Sequence, residues 1–308
     1  MKNNTEKTLI LDSNNLLYRI FFMNRAGGTD VNTLLVFLRC VRSYVEQLDG
    51  ADNIIAVWDS RLTRGVKNFR REATETDYKG TRDSETLAEA HALDDQIQRS
   101  IEAIGGINMF PNIMEADDVI AWLSHTLTDH EITIVTVDQD MYQLINENIS
   151  VYSPIKKITV NDSNFNEITG VSQSNFLSYK ALMGDKSDNI PGIPKVGKKT
   201  AMKILDNDLE VELDKRGPQA RERYDQNIML MDLSYGYNHH EGETVVYEEQ
   251  LEQLSEANAD KTKLKQLCVH NAVYPIVNDI DNWFKPFNSR DENVPNVVNL
   301  IASLNINK

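Results

Sequence analysis

Thr8-Leu9-Ile10-Leu11-Asp12, Ile54-Ile55-Ala56-Val57-Trp58-Asp59 and Ile132-Thr133-Ile134-Val135-Thr136-Val137-Asp138 are three short apolar runs that each close on an aspartate. Bounded runs rich in Ile, Val and Leu read as strands buried on both faces of a parallel sheet. In an open α/β sheet the ligand site lies outside the carboxyl ends of the strands. Three strands therefore carry three carboxylates to the edge where chemistry is expected. One aspartate past a strand is commonly the N-cap of the next helix. Three of them, with more acids nearby in sequence, point to a site for a divalent cation.

Those further acids come in three groups. Glu115-Ala116-Asp117-Asp118 opens a helix expected over 115–127, with Glu115 and Asp118 on one face at i, i+3. Acids in a first turn also suit the helix dipole, which alone accounts for such a group. Asp138-Gln139-Asp140 and Asp185-Lys186-Ser187-Asp188-Asn189 each read singly as a capped turn. Taken together, seven to nine carboxylates would repel one another and raise their own pKa values unless a cation joins them. The six His and the two Cys, Cys40 and Cys268, are not at ligand spacing within the cluster. Hard oxygen donors remain, and these select Mg²⁺ or Mn²⁺ over Zn²⁺. Two such ions ~4 Å apart suit in-line attack on a phosphodiester.

A second motif is Ile190-Pro191-Gly192-Ile193-Pro194-Lys195-Val196-Gly197-Lys198-Lys199-Thr200-Ala201. Two glycines and two prolines fix a tight turn that opens into a helix near Lys198. Exposed amides, a helix N-terminus and Lys195, Lys198 and Lys199 make an anion site with Gly192 and Gly197. The pattern resembles the helix-hairpin-helix class, which grips a nucleic-acid backbone without reading bases. The spacing of a Walker loop is absent.

The net charge of −15 at first sight opposes a nucleic-acid partner, but its distribution does not. Residues 61–82 hold seven bases (Arg61, Arg64, Lys67, Arg70, Arg71, Lys79, Arg82) against three acids. Residues 186–203 hold five Lys against Asp188, whereas 241–260 hold seven acids and no base. At 41% apolar over 308 residues the chain is able to build a sizeable core. No run approaches the ~18 apolar residues of a membrane helix, and Met1 to Lys7 lacks the apolar stretch of a signal peptide. With two cysteines, a reducing, cytoplasmic setting is expected.

Strands alternating with helices, then helices only, predict an α/β core over 1–178 and a helical region over 179–308. Helices are expected from about Leu16, over 31–47 and over 87–104, and a hairpin around Pro154. Residues 61–90 are long and charged for a connection, which marks them as functional. Residues 288–308 are Asn-rich and are expected to be loosely held.

Ordered along the chain, these motifs resemble the flap endonuclease, or 5′-nuclease, superfamily of structure-specific metallonucleases over about residues 8–205. The resemblance implies a PIN-like three-layer core with a mostly parallel sheet, a helical arch, and a helix–three-turn–helix element in the C-terminal helical part. It implies that Asp12, Asp59, Glu115, Asp117, Asp118, Asp138 and Asp140 surround two Mg²⁺ ions, for which Mn²⁺ substitutes. Asp185 and Asp188 would complete the second site. Asp138 and Asp140 are further taken as catalytic. Tyr78-Lys79-Gly80-Thr81-Arg82 falls where relatives carry the arch, so Lys79 and Arg82 would contact the scissile phosphate and Tyr78 would stack on a base. The turn at 190–201 would also hold K⁺ through backbone carbonyls. Within the superfamily, length and the segment Tyr224 to Leu233 resemble the phage ribonuclease H type, which removes RNA primers.

The expected activity is a metal-dependent 5′→3′ exonuclease and flap endonuclease, with host-cell cytoplasm as its setting if phage-encoded. A monomer acting on duplex DNA with a 5′ end or flap, or on RNA–DNA hybrid, and off membranes, is implied. A sliding clamp or single-strand-binding protein is a candidate partner through Val294 to Lys308, against a tail that is merely disordered. Three rivals stand beside this reading. A PIN-type single-strand ribonuclease needs the acids but not the hairpin or arch. A phosphatase using Asp12 as nucleophile usually has a second Asp where Asn14 stands. A non-catalytic DNA-binding accessory protein would be expected to have lost acids that are all present.

Overall fold

The apolar runs become strands, and their order sets the site. In this computed structural model, residues 5–26, 32–59, 70, 84–239 and 242–288 are described. β1 (Glu6–Asp12) leads into α1 (Ser13–Ala26) and α2 (Thr33–Gln47); β2 (Asn53–Val57) follows. α3 (Ser84–His91), α4 (Asp94–Ala103), β3 (Ile107–Met109), α5 (Ala116–Thr126) and β4 (His130–Val135) come next. A 3₁₀ turn over Asp140–Leu144 precedes β5 (Ile149–Ser153) and β6 (Ile158–Val160). The sheet order is β3-β2-β1-β4-β5-β6, parallel except for the β5–β6 hairpin.

Register explains why three aspartates meet. β1 pairs with β2 and with β4, placing Asp12 opposite Val57 and Leu11 opposite Val135. The carboxyl ends of three adjacent strands are therefore level. Asp12 ends β1 itself, whereas Asp59 and Asp138 stand just beyond β2 and β4, which stop at Val57 and Val135. The expected strands were longer; the backbone leaves the ladder early to deliver these side chains from loops. The helix expected over 87–104 is two helices, broken at Ala92 and Leu93.

Alternation along the strands divides the core between two faces. Ile10, Ile55 and Ile134 pack with Val119, Ile120 and Leu123 of α5. Leu9, Leu11, Ile54, Ala56 and Val135 face α1, α2 and α4. Each such Val, Leu or Ile side chain contributes about 1.5–3 kcal/mol on burial. A one-residue register slip would exchange the two faces.

The helical region is not one body. α6 (Phe165–Thr169), α7 (Phe176–Met183), α8 (Lys198–Asp206), α9 (Leu209–Arg216) and α10 (Pro218–Met231) come first. Leu182, Ile193, Ile204, Leu213 and Tyr224, drawn from α7 to α10, share a small core of their own. The chain then returns to the α/β core. α11 (Leu233–His239) and α12 (Glu243–Glu252) bring Leu233, Tyr247 and Leu251 to the α5 face. α13 (Lys261–His270), α14 (Tyr274–Val277) and α15 (Ile280–Trp283) bring Leu264, Cys268, Ile276 and Trp283 to the α2 face. The expected division at 178/179 thus differs from the way the core is built: residues beyond 232 belong with the sheet. No described helix is long and apolar enough to cross a membrane.

Candidate active site

Asp12 is buried at the end of β1. Thr136 Oγ1 donates to its Oδ2 at 2.6 Å and the Asn15 amide to Oδ1 at 3.4 Å. Burial pushes the Asp12 carboxyl up from 3.8 to about 7; Thr136 works against this, while the charges of Asp138 and Asp59 add to it. Asp59 is positioned from two sides. Its amide donates to Asn14 Oδ1 at 2.6 Å, and its Oδ1 accepts from the Ala116 amide at 3.0 Å, at the start of α5. Asp138 donates its amide to Thr136 Oγ1 at 2.9 Å and accepts from the Asp140 amide at 2.9 Å.

At the N-terminus of α5, Glu115 and Asp118 form a capping box. Asp118 is fully buried, and its partner is Arg70, itself 2% exposed. The guanidinium donates to Asp118 at 2.7 and 2.8 Å and to Glu115 Oε2 at 3.3 Å; its Nε donates to the Leu230 carbonyl at 3.0 Å. The Asp118 carboxylate also accepts from the Glu115 amide at 3.0 Å. Asp118 was expected among the metal ligands. Its oxygens are instead engaged by Arg70 and the helix cap. Arg70 was counted in a DNA-facing basic patch, and it lies buried beneath the acids. Asp117 is half-buried in the same turn.

Lys180, on α7, joins the remaining acids. Its Nζ reaches Asp140 and donates to Asp185 Oδ2 at 2.7 Å. Burial and the charge of Asp138 push Asp140 up to about 6, against the pull of Lys180. Burial also works against the charge on Asp185, but Lys180 and Ser187 outweigh it and hold the carboxyl at about 2. Burial disfavours the Lys180 ammonium, yet the two carboxylates hold its pKa above the ordinary lysine value. Asp185 Oδ1 also accepts from the Ser187 amide at 2.7 Å and the Asp188 amide at 3.4 Å, so it organises its own turn. Asp188 is half-buried.

The glycine turn is backbone against backbone. Short strands β7 (Gly184–Asp185) and β8 (Ile190–Pro191) pair antiparallel. Gly184 has φ +71°, and a Cβ there would stand 2.2 Å from the Gly192 amide nitrogen; one on Gly192 would stand 2.2 Å from the Met183 oxygen. Only glycine fits at both. Gly197 precedes α8, and Lys195, Lys198 and Lys199 are exposed beside it. A cavity of about 930 Å³ adjoins this turn, lined by Lys195, Arg216, Gln219, Arg223 and Gln226 among others.

Tyr78, Lys79 and Arg82 lie outside the described residues. Among the described residues, no three His, Cys, Asp or Glu side chains converge on one point at ligating distance. Protein donors hold the carboxylates instead: Thr136 on Asp12, Arg70 on Asp118, Lys180 between Asp140 and Asp185. The donor set nevertheless fits a hard divalent cation. It is all oxygen, and Asp12 and Asp140 keep raised pKa values that added positive charge would relieve.

Several residues that shape the site gave no signal in the sequence. Glu243 is buried and accepts from the Asn112 and Ile113 amides at 3.1 and 3.0 Å and from Tyr247 Oη at 2.9 Å. Gln250 accepts from the Phe110 amide at 2.7 Å and donates to its carbonyl at 2.9 Å. Two side chains of α12 thus hold the backbone that leads to Glu115. Gly236 on α11 lets that helix close on the site, since a Cβ there would stand 2.3 Å from Asp118 Oδ1. Short polar spacing betrays none of these, because the contacts to Asn112, Ile113, Phe110 and Asp118 each span over a hundred residues.

Two family models match adjoining parts of the chain: 5′-3′ exonuclease, N-terminal resolvase-like domain, over residues 7–170, and 5′-3′ exonuclease, C-terminal SAM fold, over 171–226. The chain belongs to the 5′-3′ exonuclease family. The 5′-3′ exonuclease of Bacillus subtilis is 32% identical over 215 residues, covering 66% of this chain and 70% of that protein. The thermostable DNA polymerase I of Thermus thermophilus is 30% identical over 241 residues, 74% of this chain but 28% of the polymerase. The chain thus spans about a quarter of the length of the polymerases it matches. Among solved structures, the bacteriophage T5 D15 flap endonuclease, in a complex with DNA and metal ions, superposes with TM-score 0.65 at 20% identity, covering 81% of this chain and all of that one. The flap endonuclease of Methanococcus jannaschii superposes with TM-score 0.52 at 15% identity, over 97% of this chain and 94% of that one. Both share the three-layer core and helical region expected for the family. Residues 227–288 lie beyond both family models, yet they supply Leu230, Gly236, Glu243 and Gln250 to the site.

Two outcomes follow from these contacts. Arg70→Leu leaves a buried Asp118 carboxylate uncompensated and should cost ~3–5 kcal/mol in urea unfolding, part of it recovered when Asp118→Asn is added. Asp12 titrates with the opposite sign to a stabilising ion pair. Its folded-state pKa of about 7 lies above the unfolded value, so ionisation destabilises the fold. That cost is absent below about pH 4 and complete above about pH 7. In EDTA, Asp12→Asn should melt at least ~3 °C above wild type at pH 8 and no higher at pH 4.

Proposed function

We propose that this chain is a divalent-metal-dependent 5′-nuclease that acts on duplex DNA at free 5′ ends and 5′ flaps, with RNA–DNA hybrid as a second substrate class. The observation that carries this reading is the level edge of β1, β2 and β4, where Asp12, Asp59 and Asp138 repel one another with α5 opening beside them. Asp12, Asp59, Glu115 and Asp117 would hold one Mg²⁺; Asp138, Asp140, Asp185 and Asp188 would hold a second, with Mn²⁺ able to replace either. When bound, such ions lower the pKa of a water and stabilise a leaving oxygen.

The chain's own residues have separate tasks. Asp118 and Arg70 fix Glu115 from below. Lys180 keeps Asp140 and Asp185 paired until a stronger cation competes for them. Lys79 and Arg82 neutralise the scissile phosphate, and Tyr78 stacks on the neighbouring base. The amides around Gly192 and Gly197, with Lys195, Lys198 and Lys199, grip the duplex backbone away from the cleaved bond. Arg216 and Arg223 line the adjoining cavity and extend this grip. Carbonyls of the same turn would accept K⁺. The T5 flap endonuclease, which shares the fold, was crystallised with DNA and metal ions, which supports DNA and a metal as this chain's ligands. The protein would work as a monomer in the cytoplasm, with a sliding clamp or single-strand-binding protein meeting Val294 to Lys308. The likeness to the phage ribonuclease H type makes RNA primers a substrate to test.

A 5′-labelled flap duplex should be cut near its junction with Mg²⁺, and not in EDTA or by Asp138→Asn. Duplex binding without cleavage in any divalent metal would refute the nuclease reading. Lys198→Ala with Lys199→Ala should weaken duplex binding and lower the slope of log affinity against log salt by ~1–2, measured by fluorescence anisotropy.

A further inference from the structure

A line of polar side chains runs from the carboxylate cluster to α3, and neither the metal nor the phosphate chemistry uses it. At one end the Asp59 amide donates to Asn14 Oδ1 at 2.6 Å. Asn14 Nδ2 donates to Tyr18 Oη at 3.3 Å. Tyr18 Oη lies 2.5 Å from His91 Nε2, and His91 Nδ1 lies 2.8 Å from Asp94 Oδ2. Asn14 is 3% exposed and Asp94 2%.

The protons in this line are all directed one way. The Asp94 carboxylate only accepts, so the single N–H of a neutral His91 sits on Nδ1. Nε2 is then an acceptor, and Tyr18 must give it the hydroxyl proton. The hydroxyl oxygen is left to accept from Asn14, whose carbonyl oxygen accepts from Asp59. Bonds aligned in this way polarise one another in a low-dielectric setting. Removing any member reverses or breaks the line.

The position of the line gives it a role. α3 begins two residues after Arg82, so it is the first helix after the basic segment that carries Lys79 and Arg82. Among the described residues, a further polar tie to α1 is the Arg25–Glu89 ion pair at 2.6 Å, whose side chains are 56% and 59% exposed. An exposed pair of that kind holds little, ~0–1 kcal/mol. The half-buried Tyr18–His91 contact is the stronger tie. The ring of His91 also packs edge-on against Tyr18 at 5.3 Å.

We propose that Tyr18, His91 and Asp94 are positioning residues, a directional strut that sets Asp59 in the carboxylate cluster and fixes the helix following the basic segment to that same point. The inference rests on the metal-dependent nuclease reading of the cluster. Outer partners that orient a ligand typically matter 10–100-fold in metal affinity or activity.

The test is a double-mutant cycle on the full chain with Tyr18→Phe, His91→Leu and their combination, beside Asp94→Asn and His91→Gln. Mn²⁺ affinity by titration calorimetry without DNA, kcat and KM on the flap duplex, and melting temperature are read for each. Each single variant except His91→Gln should lose about 10-fold in kcat and in Mn²⁺ affinity, with KM within about twofold of wild type. The combined variant should be no worse than either single one. His91→Gln, which keeps an acceptor for Tyr18, should lose less than His91→Leu. Additive losses, or lower melting temperatures with unchanged kcat and Mn²⁺ affinity, would overturn the strut. A wild-type protein that binds Mn²⁺ but cuts nothing would sink the nuclease reading alone, because the calorimetric cycle still decides whether Tyr18 and His91 act through Asp59.

Discussion

Repulsion among carboxylates at one edge of the sheet is the constraint that the surrounding structure answers. Parallel strands in register bring Asp12, Asp59 and Asp138 together whether or not their charges agree. The fold meets the repulsion in three ways. It makes part of the set easier to protonate, since burial and neighbouring charge raise Asp12 and Asp140. It spends protein cations, Arg70 on Asp118 and Lys180 on Asp140 and Asp185. It supplies neutral donors, Thr136 above all. A divalent cation would replace the first device and compete with Lys180 in the second, while Arg70 is too deeply built in to move. The site is thus divided between a fixed, structural half and an exchangeable half.

The fixed half explains why the chain folds back on itself after α10. Arg70 binds the Leu230 carbonyl as well as Asp118, so the end of the helical region and the start of α5 share one cation. α11 then passes so close to Asp118 that only Gly236 fits, and α12 hydrogen-bonds the loop before Glu115 through Glu243 and Gln250. β3 is an edge strand, and the backbone just past it would otherwise present unpaired amides. Side chains from a helix satisfy them without adding a strand. Segments beyond the family models are therefore part of the architecture that aims the acids.

The sequence disclosed what is local and concealed what is distant. Strands β1, β2 and β4, the capped start of α5 and the glycine turn all follow from patterns within a dozen residues. Their spacing also announced the acids and the exposed lysines. Arg70 was misread because composition alone cannot distinguish a surface arginine from a buried one; both sit in a run of charge. Asp118 was placed among the ligands by the family resemblance, and its i, i+3 spacing from Glu115 fits a capping box as well. His91 looked like a scattered histidine because its partner Tyr18 is 73 residues away. The return of the helices beyond 232 to the sheet was not legible, because a run of helices says nothing about which of them turn back.

Segregation of charge reconciles an acidic chain with a polyanionic substrate. Among the described residues, the cations that enter the carboxylate cluster, Arg70 and Lys180, are held by acids. Other described cations stand on other elements: Lys195, Lys198 and Lys199 at the start of α8, and Arg216 and Arg223 lining the adjoining cavity. The exposed acids of α12 and its flank, Glu249, Glu252, Glu256 and Asp260, lie on a segment with no base. A backbone-gripping turn binds any duplex, since phosphates carry no sequence. Acid elsewhere on the surface narrows where a duplex can lie, and a cluster that repels phosphate until cations neutralise it narrows this further. Selectivity for an end or a junction then requires only that strand and metal reach the acidic edge together, which makes the order of charges along the chain, rather than their sum, the property that matters.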